Sequence, residues 1–144
     1  MEECGKNEKK MVSFNPYELR LPSLPGEKAH LIGSKCQKCG VLYLGKSRFC
    51  RKCCSPYILE TVLEQRGKLI SYTIIHVPPS PLWRGPLPYA VGRVEVRGGA
   101  EVTSQIINCD FLNLKIGMQM NLVVEKAEQD QEGNDVMVYK WSPI

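Results

Sequence analysis

Cys36-Gln37-Lys38-Cys39-Gly40 and, ten residues on, Cys50-Arg51-Lys52-Cys53 are two cysteine pairs with the same internal spacing. Two short Cys-x-x-Cys turns facing each other place four thiolates at the corners of a tetrahedron. Zn²⁺ takes that arrangement, with Zn–S bonds of about 2.3 Å, and four protein sulfurs leave no open position at which to activate water. The expected ligands are therefore Cys36, Cys39, Cys50 and Cys53, holding one structural zinc ion. Iron in a rubredoxin-like site needs the same four sulfurs, so electron transfer stays open as a minor reading. Gly40, directly after the first pair, suits a tight turn in which a residue without Cβ is least strained. Val41–Leu44 reads as the short strand that follows, which completes the layout of a zinc ribbon.

The rest of the chain bounds what this module serves. A length of 144 residues fits one compact domain with a small appendage. Its 43% hydrophobic and 24% charged residues are an ordinary globular composition. No apolar run approaches the roughly 20 residues of a membrane span, and Met1-Glu2-Glu3-Cys4-Gly5-Lys6 lacks the apolar centre of a signal peptide. A cytoplasmic location is expected. There, seven cysteines point to metal binding rather than to disulfides. The charge is uneven: residues 27–66 carry eight basic and three acidic side chains, residues 67–144 seven and eight. The positive charge therefore surrounds the cysteines. It either offsets the formal −2 of a Zn(Cys)₄ centre or meets phosphate.

Three regions follow along the chain. Residues 1–26 read as an N-terminal arm, frayed over 1–13 and extended over Phe14–Gly26. There, Pro16, Pro22 and Pro25 argue against a long helix, and Leu19, Leu21 and Leu24 are placed to lie on a surface. Residues 27–57 are the ribbon. Residues 58–144 read as strands throughout: a short linking strand Ile58–Leu63, a long strand Lys68–Val77, and a pair Tyr89–Arg97 and Ala100–Cys109 joined at Gly98-Gly99. Two more strands, Met118–Ala127 and Asp135–Trp141, complete the set. Five prolines make Pro78–Pro88 a loop, and Asp110–Gly117 reads as a turn or short helix. This series predicts a mainly β protein, a rubredoxin-like zinc ribbon followed by a five-stranded OB-fold barrel.

The ordered set Cys36-x-x-Cys39-Gly40, Arg48-x-Cys50-x-x-Cys53, Gly67-Lys68-Leu69-Ile70-Ser71-Tyr72-Thr73, Pro88-Tyr89-Ala90-Val91, Ile116-Gly117-Met118 and Val138–Pro143 resembles the DUF35 family over about residues 28–144. Here Leu44-Gly45-Lys46-Ser47 stands where the family often has prolines before the ribbon arginine. The resemblance implies an accessory subunit, without catalytic residues of its own, of an acyl-CoA enzyme with a thiolase-fold partner. Small two-subunit thiolases of anaerobic aromatic and benzylsuccinate degradation belong to this group. In that setting Lys46, Arg48, Arg51 and Lys52 are candidates for the phosphates of a CoA thioester held at the shared interface.

Leu82, Trp83 and Arg84, at the tip of the proline loop, are partner-interface candidates, because Trp and Arg commonly anchor interfaces. Cys54 lies one residue beyond ligand spacing and reads as a free or packed thiol. Cys4 has no partner at ligand spacing, and Cys109 reads as a small core residue. His30 and His76 lie in no nucleophile motif. The alternative is a zinc-ribbon/OB module for single-stranded nucleic acid, with Tyr72, Tyr89 and Tyr139 as stacking residues. A basic groove normally accompanies such a site, and the slightly acidic barrel half disfavours it.

Overall fold

The computed structural model describes residues 10–22 and 27–144. Cys4, residues 1–9 of the stretch expected to fray, and Leu24 lie outside the described residues. In chain order the strands are β1 (Met11–Ser13), β2 (Leu19–Arg20), β3 (His30–Cys36), β4 (Leu42–Leu44), β5 (Ile58–Val62), β6 (Arg66–Ile75), β7 (Tyr89–Val96), β8 (Glu101–Ile106), β9 (Gln119–Gln129) and β10 (Asp135–Pro143). One 3₁₀ turn, Phe111–Asn113, is capped by Asp110, whose side chain accepts from Leu112 N–H. Among the described residues no helix is long and apolar enough to cross a membrane.

Five strands close on themselves in the order β6-β7-β8-β10-β9, with β9 returning to β6. Every neighbour is antiparallel except β8 and β10, which run parallel where Ile106 meets Trp141. This is the expected five-stranded OB-fold. The alternation of β7 shows why it closes: Ala90, Gly92, Val94 and Val96 are buried while Arg93 and Glu95 are exposed. A register shift between Leu69 and Ser71 bends β6 around the barrel. Gly98 and Gly99 take φ of +98° and +93° at the β7–β8 hairpin, a backbone region open to glycine. Val96 N–H closes that turn on the Ala100 carbonyl at 2.9 Å.

The ribbon sheet is built around β3. β2 and β4 pair with successive parts of one edge of β3, and β5 pairs with the other. The strand read from sequence as a linker, Ile58–Val62, thus lies along β3 from Cys36 to Ile32. The core does not stop at the ribbon. Leu19, Leu31 and Leu63 belong to one buried cluster with Leu69, Val94, Met120 and Trp141 of the barrel.

The arm is where the structure departs most from the sequence reading. Met11–Ser13, expected to fray, pairs in parallel with Asp135–Met137. Residues 15–19 then turn tightly: Glu18 and Leu19 N–H both donate to the Asn15 carbonyl, and the Asn15 side chain accepts from Tyr17 N–H. Leu19 is fully buried as β2 joins the ribbon. Between the two attachments Tyr139 Oη donates to Glu18 Oε2 at 3.0 Å, and the Phe14 and Tyr139 rings lie 5.5 Å apart. The arm is a strap that ties barrel to ribbon.

Burial and the Glu18 carboxylate raise the Tyr139 pKa above its ordinary 10.0. The folded state then holds a proton that the unfolded chain releases above about pH 10, so stability falls as pH rises through that point. Tyr139→Phe is expected to lose about 1.5–3 kcal/mol at neutral pH, the range for a hydrogen bond to a charged group. In addition, Tyr139→Phe should show a shallower alkaline decline. Urea midpoints across pH 7–11 check both, and a variant as stable as wild type would contradict the strap.

Candidate metal centre and its surroundings

The two knuckles adopt the same backbone. Cys36 N–H donates to the Val41 carbonyl and Cys50 N–H to the Ser55 carbonyl, at 3.0 and 2.9 Å. Gly40 N–H returns to the Cys36 carbonyl and Cys54 N–H to the Cys50 carbonyl, both at 2.9 Å. Cys54 therefore occupies in the second knuckle the place of Gly40 in the first. Both lie in the left-handed region, with φ of +62° and +79°. That explains the extra cysteine: it is a turn residue, exposed and outside the sulfur cluster.

The Sγ atoms of Cys36, Cys39, Cys50 and Cys53 all lie within 4.8 Å of one another. Cys36 and Cys53 sulfurs are 3.6 Å apart, those of Cys39 and Cys50 3.4 Å. A tetrahedral ZnS₄ unit has S···S edges of about 3.8 Å for bonds of about 2.3 Å, so the cluster could hold a metal ion. Cys36 and Cys50 are buried and Cys39 faces outward. Backbone donors prepare the sulfurs for negative charge. Cys39 N–H donates to Cys36 Sγ, and Lys52 and Cys53 N–H to Cys50 Sγ, each at 3.4 Å.

These contacts pull the Cys36 thiol below its usual range and Cys50 down to about 6. At Cys53 the Ser55 N–H also pulls down, but burial and the three neighbouring thiols outweigh it and push the group up to about 12. Four close sulfurs cannot all ionise without a cation among them. Tyr43 stands beside the cluster with its Oη 3.9 Å from Cys50 Sγ, and the Arg51 guanidinium lies 5.3 Å from its ring centre. Burial first, then the Cys50 sulfur, raises the Tyr43 pKa.

The four basic candidates do not form one patch. Lys46 and Arg48 line a groove of about 390 Å³ between strap and ribbon, with Tyr17, Ser34, Ile58 and Glu60. Arg51 instead covers Tyr43, and Lys52 lies in the second knuckle. Within the groove Glu60 pairs with Arg20 at 2.7 Å and Lys46 at 3.8 Å. Ser34, buried at its wall, donates to the Gly45 carbonyl and accepts from Ser47 N–H. The sequence reading missed Tyr17 and Arg20, because nothing local shows that the arm folds onto the ribbon.

In the proline loop Leu82 is 83% exposed. Trp83 folds back, its ring 5.0 Å from that of Tyr89, with Nε1 buried and without a hydrogen-bond partner. Arg84 is exposed. Cys109 packs partly buried against the core. The three tyrosines weighed as stacking residues are otherwise engaged: Tyr72 Oη donates to the Leu114 carbonyl, Tyr89 lies against Trp83, and Tyr139 binds Glu18.

A DUF35 domain-containing scaffold protein of Methanocaldococcus jannaschii is 33% identical over 122 residues, covering 82% of this chain and 84% of that protein. The chain belongs to the DUF35 family. A second such scaffold protein, of Pyrococcus furiosus, is 34% identical over 119 residues, covering 82% of the chain and 86% of the relative. The family model for the C-terminal OB-fold domain of ChsH2 matches residues 60–125. A solved structure described as the Ltp2-ChsH2(DUF35) aldolase superposes with a TM-score of 0.61 at 24% identity, covering 79% of this chain and 84% of that one, and agrees in fold.

Cys36→Ser and Cys50→Ser are expected to abolish stoichiometric metal in the purified protein, whereas Cys54→Ser keeps it. Cys54→Gly should keep the metal and match or exceed wild-type stability by about 1 kcal/mol, since glycine adopts the left-handed turn without the Cβ clash. Elemental analysis and thermal melts check the set. Loss of metal in Cys54→Ser would contradict the assignment of ligands.

Proposed function

We propose that this protein is a non-catalytic accessory subunit of an acyl-CoA enzyme, with one structural zinc ion held by Cys36, Cys39, Cys50 and Cys53. The observation that carries the reading is membership of a family of scaffold proteins over most of the chain. The similar complex described as an aldolase pairs a DUF35 protein with an enzyme. The proposed partner has a thiolase fold, and the setting is cytoplasmic.

The module plan suits that role: the boundaries expected at 26 and 57 give way to a ribbon sheet that takes in β2 and β5, followed by an OB barrel of β6 to β10. The closed sulfur set gives zinc a structural task. It fixes both knuckles, and with them the segment Gly45–Arg48 that forms one wall of the groove. Lys46 and Arg48 supply cations for CoA phosphates, and charge-assisted bonds to phosphate are strong when the donors are held in place. The exposed Tyr17 ring offers an apolar wall to the same ligand. Arg51 and Lys52 belong to the metal module rather than to this groove. Leu82 and Arg84 present the proline loop to the partner.

Affinity purification of the tagged chain from its native host is expected to bring down a thiolase-fold enzyme in fixed ratio. In that complex Lys46→Glu with Arg48→Glu should raise the KM for the acyl-CoA about tenfold with a smaller change in kcat. The absence of any such partner would contradict the accessory role. An unchanged KM would contradict the phosphate contacts alone.

A further inference from the structure

β5 is an edge strand, with no strand on its outer side among the described residues. Leu63 N–H donates to the Leu31 carbonyl at 3.0 Å, and Gln37 N–H donates to the Tyr57 carbonyl at 2.9 Å. Backbone groups alternate along an antiparallel strand. Odd-numbered residues 57–63 therefore turn theirs toward β3, while Ile58, Glu60 and Val62 turn theirs away. The Ile58 N–H is taken by the Pro56 carbonyl at 3.1 Å. The N–H and C=O of Glu60 and Val62 meet no partner among the described residues, because β5 pairs only with β3.

Monomeric proteins blunt such an edge with proline, lysine or a bulge. β5 has none of these, and its register with β3 runs unbroken from Ile58 to Val62. Its side chains make the edge more apolar: Tyr57, Leu59 and Val62 are 68%, 52% and 62% exposed.

We propose that β5 receives a strand from the enzyme partner, an extended segment in which apolar residues and carboxylates alternate. This inference rests on the accessory role stated above and names how the partner is held. Charge selects the occupant. The Glu60 carboxylate is already shared by Arg20 and Lys46. The charge left on the Glu60 face of the edge is positive: exposed Arg48 lines the groove that Ile58 and Glu60 share. Side chains alternate between the two faces of a strand, so the apolar side chains of the incoming strand would cover Tyr57 and Leu59 on one face while its carboxylates meet Arg48 on the other, and its backbone would satisfy the outward groups, the pattern of strand addition at a sheet edge. A second copy of this chain fits less well. The antiparallel register that uses all three outward residues pairs Ile58 with Val62 and sets Glu60 directly against Glu60, where like charges repel.

Amide exchange of the wild-type protein, free and in the complex isolated from its native host, tests this. Exchange at Glu60 and Val62 is expected to slow at least about tenfold in the complex. Val62→Pro removes one outward N–H, a change an edge strand tolerates. It should weaken partner binding about tenfold or more while the free chain keeps its metal. A complex in which Glu60 and Val62 exchange as fast as in the free chain would overturn the edge proposal and leave the accessory role standing. A chain that isolates with no enzyme partner would overturn the accessory role and the inference with it. A dimer of the chain alone that Val62→Pro abolishes would overturn the choice of occupant. The exchange measurement needs no variant, so a misfolded Val62→Pro would not protect the proposal.

Discussion

One hydrophobic core runs from the ribbon into the barrel, and the remaining architecture depends on it. Leu31 and Leu63 from the ribbon sheet, Leu19 from the strap and Leu69, Met120 and Trp141 from the barrel are buried in the same cluster. Each large apolar side chain buried this way contributes about 1.5–3 kcal/mol. A ribbon of some thirty residues could not bury that much alone. Sharing the core lets a small metal module sit in a fixed pose on the barrel, so that whatever the ribbon presents is held relative to the OB-fold.

The strap makes the sharing possible. It adds a short parallel strand to β10, turns at Asn15–Leu19 and continues as β2 against β3. Its polar link, Glu18 to Tyr139, crosses the junction, and Gly45 and Lys46 N–H donate to the Ile32 and Tyr17 carbonyls. The groove with Lys46 and Arg48 exists only because Tyr17 closes one side of it. Sulfur cluster, strap and groove are therefore one unit: the two knuckles bring the sulfurs together, and the strap lays the arm beside them.

Much of this was legible in the sequence. The Cys36–Cys53 spacing identified the four sulfurs that the fold gathers, and alternation in Tyr89–Val96 with the glycine pair after it identified the central hairpin. Both are local signals, a short turn and a period of two. Long-range pairings were not legible. Met11–Ser13 is too short to show alternation, and its parallel partner lies more than a hundred residues away. Ile58–Val62 has the pattern of a strand, but nothing in it says which sheet it joins. Cys54 read as a free or packed thiol, but its place as the turn residue was not legible until the second knuckle proved to repeat the first, with cysteine in the glycine's place. The basic residues were visible as a segment with excess charge, yet only the fold separates Lys46 and Arg48 from Arg51 and Lys52.

If the core is shared, ribbon and barrel should open as one cooperative unit. Native-state hydrogen exchange at increasing denaturant measures this directly. The amides of Ile32 and Leu63, bonded to the Glu18 and Leu31 carbonyls, report on the ribbon, and those of Leu69 and Leu122, bonded to Met118 and Gln65, on the barrel. The expected result is that all four merge into a single opening with the global unfolding free energy. A separate, lower-energy opening of the ribbon amides, with the barrel amides still protected, would contradict the account.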